Sequence, residues 1–364
     1  MFLHRTRLQH ILRPHHYFDP SHYRREIARL FVPSWQFVCV TSELSNDGDF
    51  ITLERFGTPV LVRNFKGQLK AFQNVCPHRH SMLTCVKAGN MPNLKCQYHG
   101  WEFNEAGRTG RIPEPKNFRP WDRDNAHLRA IHLETIGDLV FLKLSDGGPA
   151  LKEWFEPLDA VIADSFAAPR WQMKQVWNFD CRCNWKVPTE NTLESYHVAE
   201  VHPKWFGGGL PDEQSSHHTL DERYTTLRYD CIREIDRKQT YAARTLGHEP
   251  TGAYCHFHFH PNIWFVTTDT FNYLATCIPT SPTTCEVQTR MFALWGAKRS
   301  PWASFVRQVA WRIGRRTMYM IFNEDRAIFE SQQRGLAASD RPGVIGVREE
   351  RIHTFQRYIR ERTE

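Results

Sequence analysis

Apolar and polar residues change rhythm along the chain. Residues 23–30 read as a short helix with Ile27, Leu30 and Phe31 on one side, inside a loop-rich stretch that runs to residue 40. Between about Gly48 and Leu144 the pattern becomes short β-rich runs, such as 59–63 (PVLVR) and 138–142 (DLVFL), punctuated by Gly, Asn, Asp and Pro. That alternation predicts an antiparallel β domain with loops at its ends. Residues 145–149 (SDGGP) form a linker. Beyond it, 151–166 is helix-like, strand-like segments follow at 171–184, 223–233, 254–268 and 272–292, and helical text begins near Trp302. Strands and helices are segregated rather than alternating one for one, which predicts an α+β fold. The expected organisation is an N-terminal segment 1–40 packing on a C-terminal domain 149–364, with the β domain at 41–148.

Composition narrows the function classes. The 364 residues are 41% hydrophobic and 24% charged, an ordinary globular balance with room for about two cored domains. No apolar run approaches the ~20 residues of a membrane span, and the basic N-terminus lacks the apolar stretch of a secretory signal. A cytoplasmic enzyme or binding protein without a membrane partner is expected. The net charge of +7 is spread along the chain without blocks of like charge, which argues against a nucleic-acid partner. Ten Cys in 364 residues are too few for a disulfide scaffold, so where they cluster with some of the 19 His they point to metal or catalysis.

The first cluster lies in the β domain: Cys76-Pro-His78, then Cys96-Gln-Tyr-His99. Two thiolates and two imidazoles on two loops can grip metal, but the order differs from that of a zinc finger. A binuclear iron–sulfur cluster, with both Cys on one iron and both His on the other, explains the order better than a zinc knuckle. Pro77 stiffens the first loop, and Gly89 and Gly100 suit tight turns. His80 reads as a hydrogen-bonding or packing residue and Cys85 as a small buried hydrophobe. Cys39, Cys181, Cys183, Cys231, Cys255, Cys277 and Cys285 lack ligand spacing and are assigned to packing.

The second cluster is the polar stretch 184–203, with Glu190, Asn191, Glu194, Tyr196, His197 and His202. On an ideal helix Glu194 and His197 share a face, whereas His197 and His202 diverge by about 140°. They converge on one metal only if the helix widens locally or ends between them, and Pro203 favours an ending. Two neutral His plus one carboxylate with open positions is the ligand set of non-haem Fe(II) oxygenases. The carboxylate is sought on an apolar helix face. Among Ile321, Phe322, Ile328 and Phe329, Asp325 sits mid-stripe, Glu324 about 100° away and Glu330 roughly opposite. A carboxylate buried there needs a partner or a metal, which makes Asp325 the best third ligand.

The text Cys76-Pro-His78-Arg-His and Cys96-Gln-Tyr-His99-Gly-Trp101 resembles the Rieske [2Fe-2S] domain. Glu190-Asn-x2-Glu194-x-Tyr196-His197-x4-His202, and the Glu324-Asp-x4-Glu-x2-Gln333 segment, resemble the catalytic domain of Rieske non-haem iron oxygenases, the alpha subunits of the ring-hydroxylating superfamily. The resemblance implies a β Rieske domain followed by a helix-grip-like catalytic domain of antiparallel sheet and helices. It implies that Cys76, His78, Cys96 and His99 hold the cluster, and His197, His202 and Asp325 a mononuclear Fe(II). Glu194 matches the acidic residue that in the family bridges a cluster histidine of one subunit to an iron histidine of its neighbour, with Asn191 and Tyr196 as weaker supporting candidates. The implied assembly is a homotrimer, with or without a beta subunit. Since no G-x-G-x-x-G loop is present, NAD(P)H electrons would arrive through a separate ferredoxin or flavin reductase. The implied activity is O2-dependent mono- or dioxygenation, or oxidative demethylation, of a small organic substrate. Glu at position 194 is what choline-, betaine- and carnitine-type and several single-component members tend to show. A Rieske electron carrier or redox sensor without oxygenase chemistry is the alternative.

Residues 254–265 read as one strand with His256, His258 and His260 on one face, either a solvated or hydrogen-bonded sheet face or a third metal site. Ile263 and Phe265 are candidate pocket residues, and Gly207-Gly-Gly209 a candidate lid hinge. An aromatic-rich wall suits a planar ring or a quaternary ammonium. Arg79, Arg108, Arg111 and Lys116 either steer an acidic redox partner or are simply solvated.

Overall fold

Two tight reversals organise the start of the β domain. Strand β2 (Asp49–Arg55) turns into β3 (Thr58–Phe65) through Phe56 and Gly57, and β3 into β4 (Gln68–Gln73) through Lys66 and Gly67. All four turn residues have positive φ, between 50° and 90°, the backbone that matches the right-handed twist of the strands it joins. The computed structural model describes residues 2–121, 126–206, 213–230 and 234–364, which form two units: Val32–Glu156, and Met1–Phe31 together with Pro157–Glu364.

The first unit carries a seven-stranded antiparallel sheet. Its order is β1 (Gln36–Val40), β9 (Leu139–Lys143), β8 (Ala130–Ile136), β4, β3, β2 and β5 (Ala88–Asn90). A two-stranded ladder, β6 (Leu94–Lys95) with β7 (Glu102–Phe103), carries the second Cys/His loop. The unit is wider than the expected 41–148 because β1 pairs with β9. The short helix α2 (Leu151–Phe155) also packs here, Phe155 edge-on to Phe141.

The second unit is a seven-stranded antiparallel sheet ordered β10 (Trp171–Cys181), β16 (Thr284–Leu294), β15 (Phe271–Ser281), β14 (Ile263–Thr267), β13 (Ala253–Phe259), β12 (Tyr224–Asp230) and β11 (Ser216–Leu220). The segments 254–268 and 272–292, each read as one strand, are hairpins: β13–β14 reverses at His260–Asn262 and β15–β16 at Pro282 and Thr283. β11 has too little apolar alternation to be recognised in the sequence.

Helices α1 (Pro20–Glu26), α3 (Asp159–Phe166), α4 (Lys186–Thr192), α5 (Val198–Val201), α6 (Pro203–Phe206), α7 (Glu234–Thr245), α8 (Pro301–Ala338) and α9 (Glu350–Thr363) complete the unit. α8 has 38 residues, starts at Pro301 and is capped by the Ser300 hydroxyl accepting from the Ala303 N–H at 3.1 Å. Two polar anchors set α4 against its neighbours. Lys186 pairs with Glu26 of α1 at 2.6 Å, both side chains at most 1% exposed, while the Trp185 indole N–H also donates to Glu26 at 2.8 Å. Gln333 of α8 accepts from the Asn184 N–H at 2.8 Å and donates to the Tyr17 carbonyl at 3.1 Å. Trp185 itself is fully buried between the rings of Phe31 and Phe355. None of the described helices is long and apolar enough to cross a membrane.

Candidate metal centres

The two Cys/His loops of the first unit fold alike. The Cys76 N–H donates to the Ser81 carbonyl and the His80 N–H returns to the Cys76 carbonyl, at 2.8 and 3.0 Å; the Cys96 N–H donates to Trp101 and the Gly100 N–H to Cys96, at 2.8 and 3.1 Å. The fifth residue of each loop has positive φ, 57° at His80 and 73° at Gly100. Glycine adopts that backbone without strain, and His80 does so at a cost of ~1–2 kcal/mol. His80 is exposed, so its part in the loop is this backbone position rather than side-chain packing. Cys85 is exposed rather than buried, against expectation, and accepts from Gln97. Gly89 lies in β5 against Phe50 rather than at a positive-φ turn.

These loops bring all four expected ligands together. Cys76 and Cys96 are each 2% exposed. Burial, with Cys96 alongside, pushes the Cys76 thiol up to about 11. The His78 and His99 rings lie 4.7 Å apart, and His78 stacks flat on Trp101. His78 Nδ1 is buried and, among the described residues, has no hydrogen-bond partner. Two buried thiols and an imidazole nitrogen with an unengaged lone pair suit a 2Fe-2S cluster with mixed Cys and His ligation.

In the second unit α4 stops at Thr192, and His197 starts a new single turn as the N-cap of α5. That turn ends at His202, whose backbone has left the helix at φ −121°, ψ 43°, just before Pro203. The helix ending, one of the two routes the sequence allowed, swings the His202 ring to 5.3 Å from that of His197. Asp325 of α8 meets both: its Oδ1 lies 3.0 Å from His202 Nε2 and 3.5 Å from His197 Nε2. One donor atom from each of the three residues lies within 4.8 Å of the others. Asp325 is buried with Phe329, while Ile328 turns outward at 46% exposure, so the apolar stripe is narrower than expected.

Each triad histidine has its other ring nitrogen engaged by an acid. Glu194 binds His197 Nδ1 and accepts from the His197 and Tyr196 N–H groups. Glu324 lies 2.8 Å from His202 Nδ1. Burial pulls both imidazoles down, but Glu194 and Asp325 at His197, and Asp325 and Glu324 at His202, outweigh it and raise both. With Nδ1–H donating to its carboxylate, each neutral ring is fixed in the tautomer that leaves the Nε2 lone pair for a metal. Glu324 was passed over in the sequence because an ideal helix places it away from Asp325; its acidic side chain next to the candidate ligand was the available signal. Asn191 lines the cavity beside the triad. The Tyr196 side chain is 62% exposed and only its backbone N–H reaches Glu194, so the structure does not bring its hydroxyl to the triad.

The cavity has a volume of about 760 Å³ and is lined by the triad, Glu194, His256, a mixed face of α7 with Lys238, Gln239, Tyr241 and Ala242, and a largely apolar face of α8. Its wall includes neither Ile263 nor Phe265, which are fully buried. Gly207–Gly209 and Cys231 lie outside the described residues. His256, His258 and His260 are 2%, 0% and 2% exposed, so the solvated reading of that face is corrected to a buried one. They pack under α9: Arg351 lies 2.8 Å from His256 Nδ1, and Phe355 meets the rings of His258 and His260. Burial, with Arg362 and Arg351 nearby, holds His260 down to about 3. A further imidazole group, His15, His16 and His22, has no carboxylate in its set, and the Arg25 guanidinium donates to His22 Nδ1 at 2.9 Å.

Residues 34–130 match the Rieske [2Fe-2S] domain family, and residues 168–364 match the ring hydroxylating alpha subunit (catalytic domain) family. The carnitine monooxygenase oxygenase subunit of Escherichia coli K12 is 34% identical over 192 residues, covering 51% of this chain and 50% of the relative. The anthranilate 1,2-dioxygenase large subunit of Acinetobacter baylyi is 28% identical over 191 residues, covering 50% and 41%. The matched stretch thus spans half or less of these curated relatives. By structure, the chain is similar to the quaternary ammonium Rieske monooxygenase CntA in complex with L-carnitine, at TM-score 0.78 and 20% identity, covering 98% and 96% of the two chains. It is also similar to naphthalene 1,2-dioxygenase from Rhodococcus sp. bound to indole, at TM-score 0.73 and 17% identity, covering 96% and 94%. With more than half its length matched by the catalytic-domain family, this chain belongs to the ring-hydroxylating alpha subunits and carries a Rieske domain ahead of the catalytic one.

Proposed function

We propose that this protein is the terminal oxygenase of a cytoplasmic system in which NAD(P)H electrons, relayed by a ferredoxin or flavin reductase, drive O2-dependent oxidation of a small organic molecule. The observation that carries this reading is the triad His197, His202 and Asp325 facing a large cavity, with Glu194 and Glu324 fixing both imidazoles. When bound, the 2Fe-2S cluster and the mononuclear iron supply one-electron transfer and O2 activation. Cys76, Cys96, His78 and His99 hold the cluster, and the triad holds the iron with positions left open.

Glu194 orients His197 and, in a homotrimer, joins it to the cluster histidine of a neighbouring subunit. Arg79, Arg108, Arg111 and Lys116 are exposed on the cluster-bearing unit and raise the encounter rate with an acidic redox partner. The substrates named in the relatives, carnitine and anthranilate, support a quaternary ammonium or aromatic compound as the substrate class.

Reconstitution with a flavin reductase and NADH tests the function. Product that carries oxygen from O2, in step with NADH consumed and lost in His197→Ala, is the expected result. Cluster reduction and reoxidation without product across both substrate classes, unchanged by His197→Ala, would mean an electron carrier instead.

A further inference from the structure

The cavity over the triad is built along one helix. From Trp302 to Asp325, the residues of α8 that line it recur at alternating steps of three and one without a gap. This is one uninterrupted face of an α-helix, about 34 Å long at 1.5 Å per residue. Asp325 at its end is its sole charged residue; the rest is apolar apart from Thr317. Trp302, Phe305, Val309 and Ile313 on this face remain 55%, 57%, 37% and 60% exposed although they line the cavity. Large apolar side chains are therefore held open along a path that ends at the triad. At Gly314 an added Cβ would meet Phe271 at 3.0 Å, so the missing side chain lets that ring close against the helix beside the cavity.

We propose that the substrate of this site is an elongated, largely apolar molecule that lies along α8 with one end at Asp325, rather than a compact zwitterion. This rests on the triad being the reacting site. A volume of about 760 Å³ is that of a pocket for a drug-sized ligand. A molecule the size of glycine betaine leaves most of this wall against water, which gives up the burial the wall offers. Glu194 and Glu324 beside the triad are already engaged with His197 and His202, and the other charged side chain lining the cavity away from the triad is the cation of Lys238, so among the described residues the site offers a quaternary ammonium no further carboxylate at that end.

The test uses the iron- and cluster-loaded protein and n-alkanols from hexanol to dodecanol, with L-carnitine and glycine betaine alongside. Dissociation constants are read by equilibrium dialysis, and oxygenated product is followed in parallel with reductase and NADH. Each added methylene is expected to tighten binding about fourfold through the whole series. In Thr317→Trp, which narrows the groove about 12 Å from Asp325 at 1.5 Å per residue, within reach of the longer alkanols, the gain stops at a shorter chain while cluster absorbance and iron content stay intact. Affinity flat with chain length, or carnitine or glycine betaine binding more tightly than any alkanol, overturns the proposal, and the wild-type series decides this without the variant. Chain-length-dependent binding with no oxygenation of any compound refutes the oxygenase reading instead, whereas oxygenation with a flat series refutes only the elongated substrate.

Discussion

Replacing Lys186 with Met removes the cation from the most buried ion pair of the catalytic unit. Lys186 and Glu26 are at most 1% exposed and 2.6 Å apart, so the substitution leaves a carboxylate deep in the protein without its counter-charge. Breaking one side of such a pair costs ~3–5 kcal/mol. Here the Trp185 N–H still donates to Glu26, which places the loss near the lower figure. At roughly 2–4 °C per kcal/mol for a unit of this size, unfolding should begin ~6–12 °C earlier. Because Lys186 opens α4, the helix that leads to His197, triad iron should be released over the same range. The 2Fe-2S absorbance reports the other unit and serves as an internal reference. Circular dichroism melts with iron release measured in parallel give the numbers. The double variant Lys186→Met/Glu26→Leu, which removes both charges, should recover most of the loss. A single variant that melts within about 2 °C of wild type, or a double variant no better than the single, would refute the reasoning.

Three further outcomes follow from named contacts. Glu324→Ala frees His202 Nδ1 and should weaken iron binding ~10–100-fold in a chelator competition, whereas Glu324→Gln, which can still accept a hydrogen bond, should lose much less. Gly107→Ala would put a Cβ 2.7 Å from the Phe72 ring at a φ of +74°, so cluster absorbance should be lost ~1–3 kcal/mol more easily in denaturant, with triad iron unaffected. His260 protonates near 3 rather than at the ordinary 6.5; the unfolded chain therefore binds the extra proton below 6.5, and stability should fall by up to ~1.4 kcal/mol per pH unit from 6.5 towards 3. Denaturant melts against pH should show a shallower fall in His260→Gln.

The ligand sets were legible because they depend on local spacing. Cys76 to His99 and His197 to His202 sit on short loops and turns, and Asp325 stands out as a carboxylate on an apolar helix face. Features set by distant chain were not legible. His256, His258 and His260 look like a wet strand face until α9, some hundred residues later, covers them with Arg351 and Phe355. The role of Glu324 depends on where His202 lands after α5 ends, which no helical wheel of α8 contains. The hairpin at His260–Asn262 carries a turn signal in Pro261-Asn262, but the strand-like runs on both sides of it merge into one strand when read by periodicity alone. Of the 24 Phe and 12 Trp, some serve the packing of Trp185 between Phe31 and Phe355, and others the wall that carries Trp302, Phe305 and Phe322.

Iron and acid-labile sulfide analysis, combined with the visible spectrum of wild type and His202→Ala, tests the two-centre account most directly. About three irons and two sulfides per chain are expected in wild type, and two irons with two sulfides and an unchanged visible spectrum in His202→Ala. A colourless zinc protein, or an iron content that His202→Ala leaves unchanged, would contradict it.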